Sequence, residues 1–172
     1  MTTMSATFTR RDYSLLPEGF PAQLIHGQLV KDPSPTYGHQ RLAGRLRDAL
    51  VRHVEPDLVV MAPADVVIDE VNVLQPDVVV LRTSPPLEQS DVGIPRVALE
   101  VLSQSTAARD RDVKRVLFLR AGVEEVWLLD PVSEAIEIWW PDAMQRYTGS
   151  DAAVSRALSG FQLIPARLFH ST

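Results

Sequence analysis

Hydrophobic and polar positions change their period several times along the chain, and each change marks an element. Residues 22–30 (AQLIHGQLV) alternate imperfectly around Gly27, which predicts a short strand, a turn and a second strand. Pro33, Pro35 and Gly38 interrupt the chain before Leu42, Leu46, Ala49, Leu50 and Val54 recur at helical spacing, so an amphipathic helix is predicted from His39 to about Val54, ended by Pro56. Three runs rich in valine, leucine and isoleucine, Leu58–Val60, Asp65–Asp69 and Asp77–Leu81, predict neighbouring strands. Thr83–Pro95 carries prolines, a glycine and polar residues and reads as a surface loop, and Arg96–Leu102 as a further strand.

Ser103, Ser105 and Thr106 offer N-cap oxygens for a helix running to about Ala121, with Gly122 at its C′ position and Val113, Val116, Leu117 and Leu119 or Arg120 as its buried stripe. Glu125–Asp130 and Ala135–Trp140, separated by Pro131 and Ser133, predict a hairpin. One more strand and a terminal turn fill the rest, through Tyr147 and the FQLIPARLF tail. Helix, strands, helix, strands is the order of an α/β (α+β) fold with a mixed sheet flanked by helices. With 172 residues the chain is expected to form one domain, without repeats or low-complexity tracts.

Composition narrows the chemistry. The hydrophobic share of 45% and the charged share of 23% are those of a globular protein. No apolar run reaches the length of a membrane span, and the N-terminal segment lacks a signal-peptide core, so a cytoplasmic location is the expectation. Without cysteine, any metal must be held by carboxylates, carbonyls or the four histidines, which favours hard cations such as magnesium. The formal charge of −5 argues against indiscriminate nucleic-acid binding, yet residues 39–53 and 106–121 each net +3, leaving −11 elsewhere. Two solvated helix faces, or two basic walls beside an acidic site, would both produce that distribution.

Three residues stand out. Glu100 lies inside VALEVL, on the strand face shared by Ala98 and Leu102, where a carboxylate requires a cation or hydrogen-bond donors beside it. Asp77 opens PDVVVL; alone it reads as a turn residue, but two acids on separate apolar strands can converge on one divalent ion. Lys114 is one of two lysines beside fifteen arginines, a choice that suits a compact ammonium at a phosphate or water; the alternative is an i,i+4 pair with Asp110. No G-x-S-x-G, P-loop, G-x-G-x-x-G or H-E-x-x-H is present.

The ordered set PDVVVL, ALEVLSQST and RDRDVKRVLFLRAGVEEVWLLDP, with AQLIHGQLV and the histidine-led helix at His39 upstream, resembles the Uma-two (Uma2) family of putative restriction endonucleases, a branch of the PD-(D/E)XK nuclease superfamily. The resemblance covers roughly residues 20–140. It implies a restriction-endonuclease-like core and makes Asp77 and Glu100 magnesium ligands, with manganese as a substitute and the Val101 backbone carbonyl as a further ligand. Leu102 occupies the place of the usual lysine, and Lys114 on the following helix corresponds to it. His39 matches a family histidine that would contact phosphate or carry a proton, or else caps its helix. Where the family reads Glu-Leu-Ile-Asp-Gly-Glu, this chain has Gln23, Leu24, Ile25, His26, Gly27 and Gln28, and Gln23 removes a charge from the site if the first glutamate serves it.

The leading expectation is a magnesium-dependent endonuclease cutting DNA phosphodiesters, with Arg41, Arg45, Arg109 and Arg111 guiding the backbone. An inactive nuclease-fold module that binds nucleic acid or protein is the alternative, and a structural Glu100–Lys114 ion pair a third. A homodimer is expected because two symmetric sites cut two strands most simply, with the Trp139–Trp140 pair either leaving at least one indole on an exposed face or interface or closing the core at one end of the hairpin.

Overall fold

The computed structural model describes residues 7–17 and 19–170. In chain order its elements are α1 (Arg10–Tyr13), β1 (Ala22–Ile25), β2 (Gln28–Lys31), α2 (Tyr37–His53), β3 (Val59–Met61), β4 (Asp65–Asp69), β5 (Asn72–Leu74), β6 (Val78–Leu81), β7 (Asp91–Val92) and β8 (Val97–Val101). There follow α3 (Ala107–Arg109), a π-helical turn (Asp110–Lys114), α4 (Arg115–Ala121), β9 (Glu125–Asp130), β10 (Ala135–Trp139), β11 (Met144–Thr148), β12 (Ala153–Val154), β13 (Gln162–Leu163) and α5 (Pro165–His170). The architecture is the mixed α/β fold expected. Among the described residues no helix is long and apolar enough to cross a membrane.

A six-stranded sheet ordered β11-β10-β9-β8-β6-β3 forms the centre. Its only parallel pair is β8 with β9, and parallel neighbours need a crossover, here the helical stretch from Ala107 to Ala121. The two-residue side-chain period then sorts the core. Val78, Val80, Val97, Leu99 and Val101 point to the face covered by Leu46 and Leu50 of α2. Val79, Ala98 and Leu102 point to the opposite face, against Phe118 of α4 and against Val66 and Leu74 of a second sheet ordered β2-β1-β5-β4-β7. Glu100 belongs by parity to this second face, as its neighbours in the sequence require.

The turn between β1 and β2 places His26 and Gly27 at φ +51° and +73°, a two-residue connection that pairs Ile25 with Gln28. A Cβ on Gly27 would also collide with the Thr7 side chain. α1 was not foreseen, although Thr9 and Asp12 form its capping box; nor was β5, too short to show a period. The Thr83–Pro95 loop contains a short strand, β7, that pairs in parallel with β4. Beyond β11 the tail forms the β12–β13 ribbon and a helix in place of a turn. Glu125, wholly buried, fastens that tail: its oxygens accept from the Trp127 and Trp140 indoles, the Ser155 hydroxyl and the Arg156 and Ala157 N–H groups.

The tryptophan pair departs from the exposed-face alternative. Trp140 is buried with its ring under the Arg156 guanidinium, and Trp139 is half-buried under Arg115. Neither indole stands free on an exposed face, so the pair gives no support to a dimer.

Candidate active site

The antiparallel register Val78↔Leu99, carried one residue further, sets Asp77 opposite Glu100 at one end of β6 and β8. Like charges facing each other across a ladder repel, and both need compensation. Asp77 finds part of it locally: its Oδ2 accepts the Val101 N–H at 2.7 Å and lies 3.2 Å from His39 Nε2. His39 is delivered by the first turn of α2, which Thr36 caps through the His39 N–H. The Asp77 hydrogen bond, opposed by partial burial and aided by the Val101 backbone, holds the imidazole's pKa above its ordinary value.

Glu100 is compensated from the other side. The helix after β8 widens into a single π-turn at Asp110–Lys114, and this turn carries both Asp110 and Lys114 inward, to 3% and 2% exposure. Such bulges recur at functional sites, and the i,i+4 spacing keeps Asp110 and Lys114 on one face of the helix. Lys114 Nζ lies 2.5 Å from Glu100 Oε1 and 3.5 Å from Asp110 Oδ1, and donates to the Gln75 carbonyl at 3.1 Å. The close approach to Glu100 is off hydrogen-bond alignment, which leaves Oε1 buried with a neighbouring charge but no directed donor. Burial drives the Glu100 pKa well up; Lys114 pulls it down, while Asp110 and Asp77 push it up again. For Lys114 burial works against the charge, but Glu100, Asp110 and Asp77 prevail and raise its pKa. The two shifts oppose each other, since a protonated Glu100 would no longer favour the ammonium. We stand behind the charged lysine, which has three acceptors around it; Glu100 has one cation against two anions.

All these groups line one cleft of about 630 Å³, together with Gln23 and Arg109. Three carboxyl groups thus share one ammonium in this cluster. Among the described residues no three histidine, aspartate or glutamate side chains are spaced to hold a metal by themselves. The residues nevertheless fit a hard divalent ion: magnesium binds through one or two carboxylates and keeps several waters, Asp77 and Glu100 offer oxygen donors with the Val101 carbonyl beside them, and Glu100 Oε1 is an orphaned buried acceptor.

Gln23 has a defined task. Its Nε2 donates to Asp32 Oδ2 and its Oε1 accepts the Gln75 N–H, each at 2.8 Å. A glutamate could not donate to Asp32, so the departure from the family pattern suits this chain's Asp32, which Arg109 also binds. The other cations are distributed differently from expectation. Arg109 lines the cleft. Arg41 and Arg45 do not; Arg45 donates to the Leu168 carbonyl. Arg111 is likewise outside the cleft, shared between Asp130 and Glu137 at 3.0 Å each. The hydroxyls of Ser103, Ser105 and Thr106 bond one another and leave the helix start without a side-chain cap. Asp32, Gln75 and Asp110 were missed as cleft residues. Only Asp110 carried a sequence signal, its spacing to Lys114.

The chain belongs to the Uma2 family, described as putative restriction endonuclease, whose model matches residues 10–167. Its fold is similar to the 1.96 Å crystal structure of a putative nuclease belonging to DUF820 from Anabaena variabilis ATCC 29413, with a TM-score of 0.82, 20% identity, and 94% of this chain and 97% of that chain covered. No curated protein matches the chain.

Proposed function

We propose that the cleft is a divalent-metal-dependent phosphodiesterase site acting on DNA in the cytoplasm. The observation that carries the reading is the meeting of Asp77, Glu100 and Asp110 around the one buried ammonium of Lys114 in a single cleft, an excess of carboxylate oxygen that a magnesium or manganese ion would complement. Asp77, Glu100 and the Val101 carbonyl would hold that ion, which when bound supplies charge neutralisation at a phosphate and acidifies a water.

The chain's own groups supply the rest. Lys114 brings a fixed ammonium beside Glu100, able to donate to a phosphate oxygen or orient the attacking water, and the Gln75 carbonyl limits where it can swing. His39, steadied by Asp77, is the group at the cleft that can give a proton to the departing oxygen near neutral pH. Arg109, anchored by Asp32, stands where a backbone phosphate would lie. Cutting both strands would take two copies of the site, so the reading carries a homodimer with it.

The test is nicking of supercoiled plasmid with magnesium or manganese by wild type, Asp77→Ala and Lys114→Ala, purified identically. Metal-dependent nicking by wild type, lost at least 100-fold in both variants, is expected. Equal nicking by all three would mean a contaminant, and no nicking with intact metal binding would leave a nuclease fold used for binding alone.

A further inference from the structure

A second concavity lies about a third of a turn around α2 from the cleft. Arg45, Asp48, Arg52 and His53 of α2 and Arg167 of α5 line a groove of about 470 Å³ between the two helices. Its charged residues are three arginines and one aspartate, a surplus of +2 with His53 neutral, in a chain whose total is −5; the remainder therefore carries −7. Asp48 is itself engaged by Arg47, which weakens the one local anion. Arg45 donates to the Leu168 carbonyl, which fixes the guanidinium at the groove wall.

Helical spacing relates this groove to the cleft through α2, which contributes residues to both. At about 100° per residue, Gln40, Ala43, Gly44 and Arg47 look into the cleft, whereas Arg41, Arg45, Asp48 and Arg52 fall on a single stripe about a third of a turn away. From Arg41 to Arg52 the stripe rises about 16 Å, roughly five base-pair steps of duplex axis. In a chain with so acidic a remainder such a band is a place where a phosphate backbone meets attraction.

We propose that the α2–α5 groove is a second, non-catalytic binding surface for a nucleic-acid phosphate backbone, holding the duplex arm that flanks the bond in the cleft. The inference rests on the DNA-directed reading of the cleft but is separable from it by experiment. Arg52 and Arg167 contact the backbone electrostatically, without base recognition, so their contribution has the signature of counterion release. Arg45 orients the α2–α5 pair through Leu168 while adding charge.

Binding of a short fluorescent DNA duplex is measured by anisotropy in EDTA over a range of salt, for wild type, Arg52→Glu/Arg167→Glu, and the control Arg120→Glu, an exposed arginine on α4 outside both concavities. The double variant is expected to raise Kd at least tenfold at low salt and to flatten the log–log salt slope by about 2, while the control changes neither beyond its net charge; melting temperatures verify the fold. Equal effects in the control, or none in the double variant, would overturn the proposal, as would polyglutamate binding with the same arginine dependence, which would assign the groove to acidic peptides. The two readings fail differently. Plasmid nicking that persists while duplex binding ignores Arg52 and Arg167 removes the groove and keeps the cleft; duplex binding that needs both arginines, with no nicking by any protein, removes the cleft's chemistry and keeps the groove.

Discussion

Lys114 is the residue on which the cleft's electrostatics turn. It is 2% exposed and faces Glu100 and Asp110, with Asp77 contributing to its raised pKa. Removing only the cation leaves buried carboxylates uncompensated, which costs far more than a well-packed apolar pair would. Lys114→Met is therefore expected to destabilise the metal-free protein by about 3–5 kcal/mol in urea unfolding, and Lys114→Met/Glu100→Leu to recover most of that loss. The recovered double variant should still bind no divalent metal, because one of the two carboxylates offered to it is gone. If the single variant were as stable as wild type, Lys114 would not be the counter-ion the distances indicate.

At the scale of elements, the π-turn imposes a division of labour. Asp110 and Lys114 turn inward, while Arg111 turns away to Asp130 and Glu137 and ties the helix to the end of β9. Asp130 also accepts the Val132 and Ser133 N–H groups at the start of the β9–β10 connection. Burial pushes the Asp130 carboxyl up, but the hydrogen bonds from Ser133, Arg111 and Val132 outweigh it and hold its pKa below the ordinary value. A depressed folded-state pKa gives stability that is present above the unfolded value, near about 3.9, and is lost as pH falls through the folded one. Asp130→Asn should thus cost about 1–2 kcal/mol at neutral pH, shrinking toward zero in the most acidic melts; a difference independent of pH would remove the charge from the explanation. Legibility in the sequence follows the same scale. Strands β4, β6, β8 and β9 and helix α2 were readable because Leu46 and Leu50, or Val78 to Leu81, repeat with the period of their element. Glu100 and Asp77 were readable because charge interrupts that repeat. The π-turn was not, since one extra residue in a helical turn leaves the apolar spacing of Val113 and Leu117 unchanged. Nor were Arg45 and Arg111, whose partners Leu168, Asp130 and Glu137 lie 123, 19 and 26 residues away along the chain.

Over the whole molecule the cleft draws its side chains from both sheets and from the helices on either face of the central one. Asp77 and Glu100 end strands of the central sheet, His39 comes from the helix on one face, Lys114 from the helix on the other, and Gln23 from the second sheet. A ligand that joins Asp77 to Glu100 therefore clamps elements that separate on unfolding, and its binding free energy adds to global stability. At about 100 times its Kd, a single bound ion contributes about 2.7 kcal/mol, which for a chain of this size raises Tm by about 5–10 °C. Differential scanning fluorimetry with magnesium or manganese should show that rise for wild type and for Arg120→Glu, and lose it in Asp77→Asn and in Glu100→Gln. Glu100→Gln carries a second expectation with it: burial of an anion beside Asp77 and Asp110 strains the metal-free protein, so this variant should match or exceed the wild-type Tm without metal while failing to respond to it. A wild-type protein indifferent to both ions, with Glu100→Gln clearly less stable than it, would identify the Glu100–Lys114 pair as a structural ion pair and move the protein's work from cutting to binding.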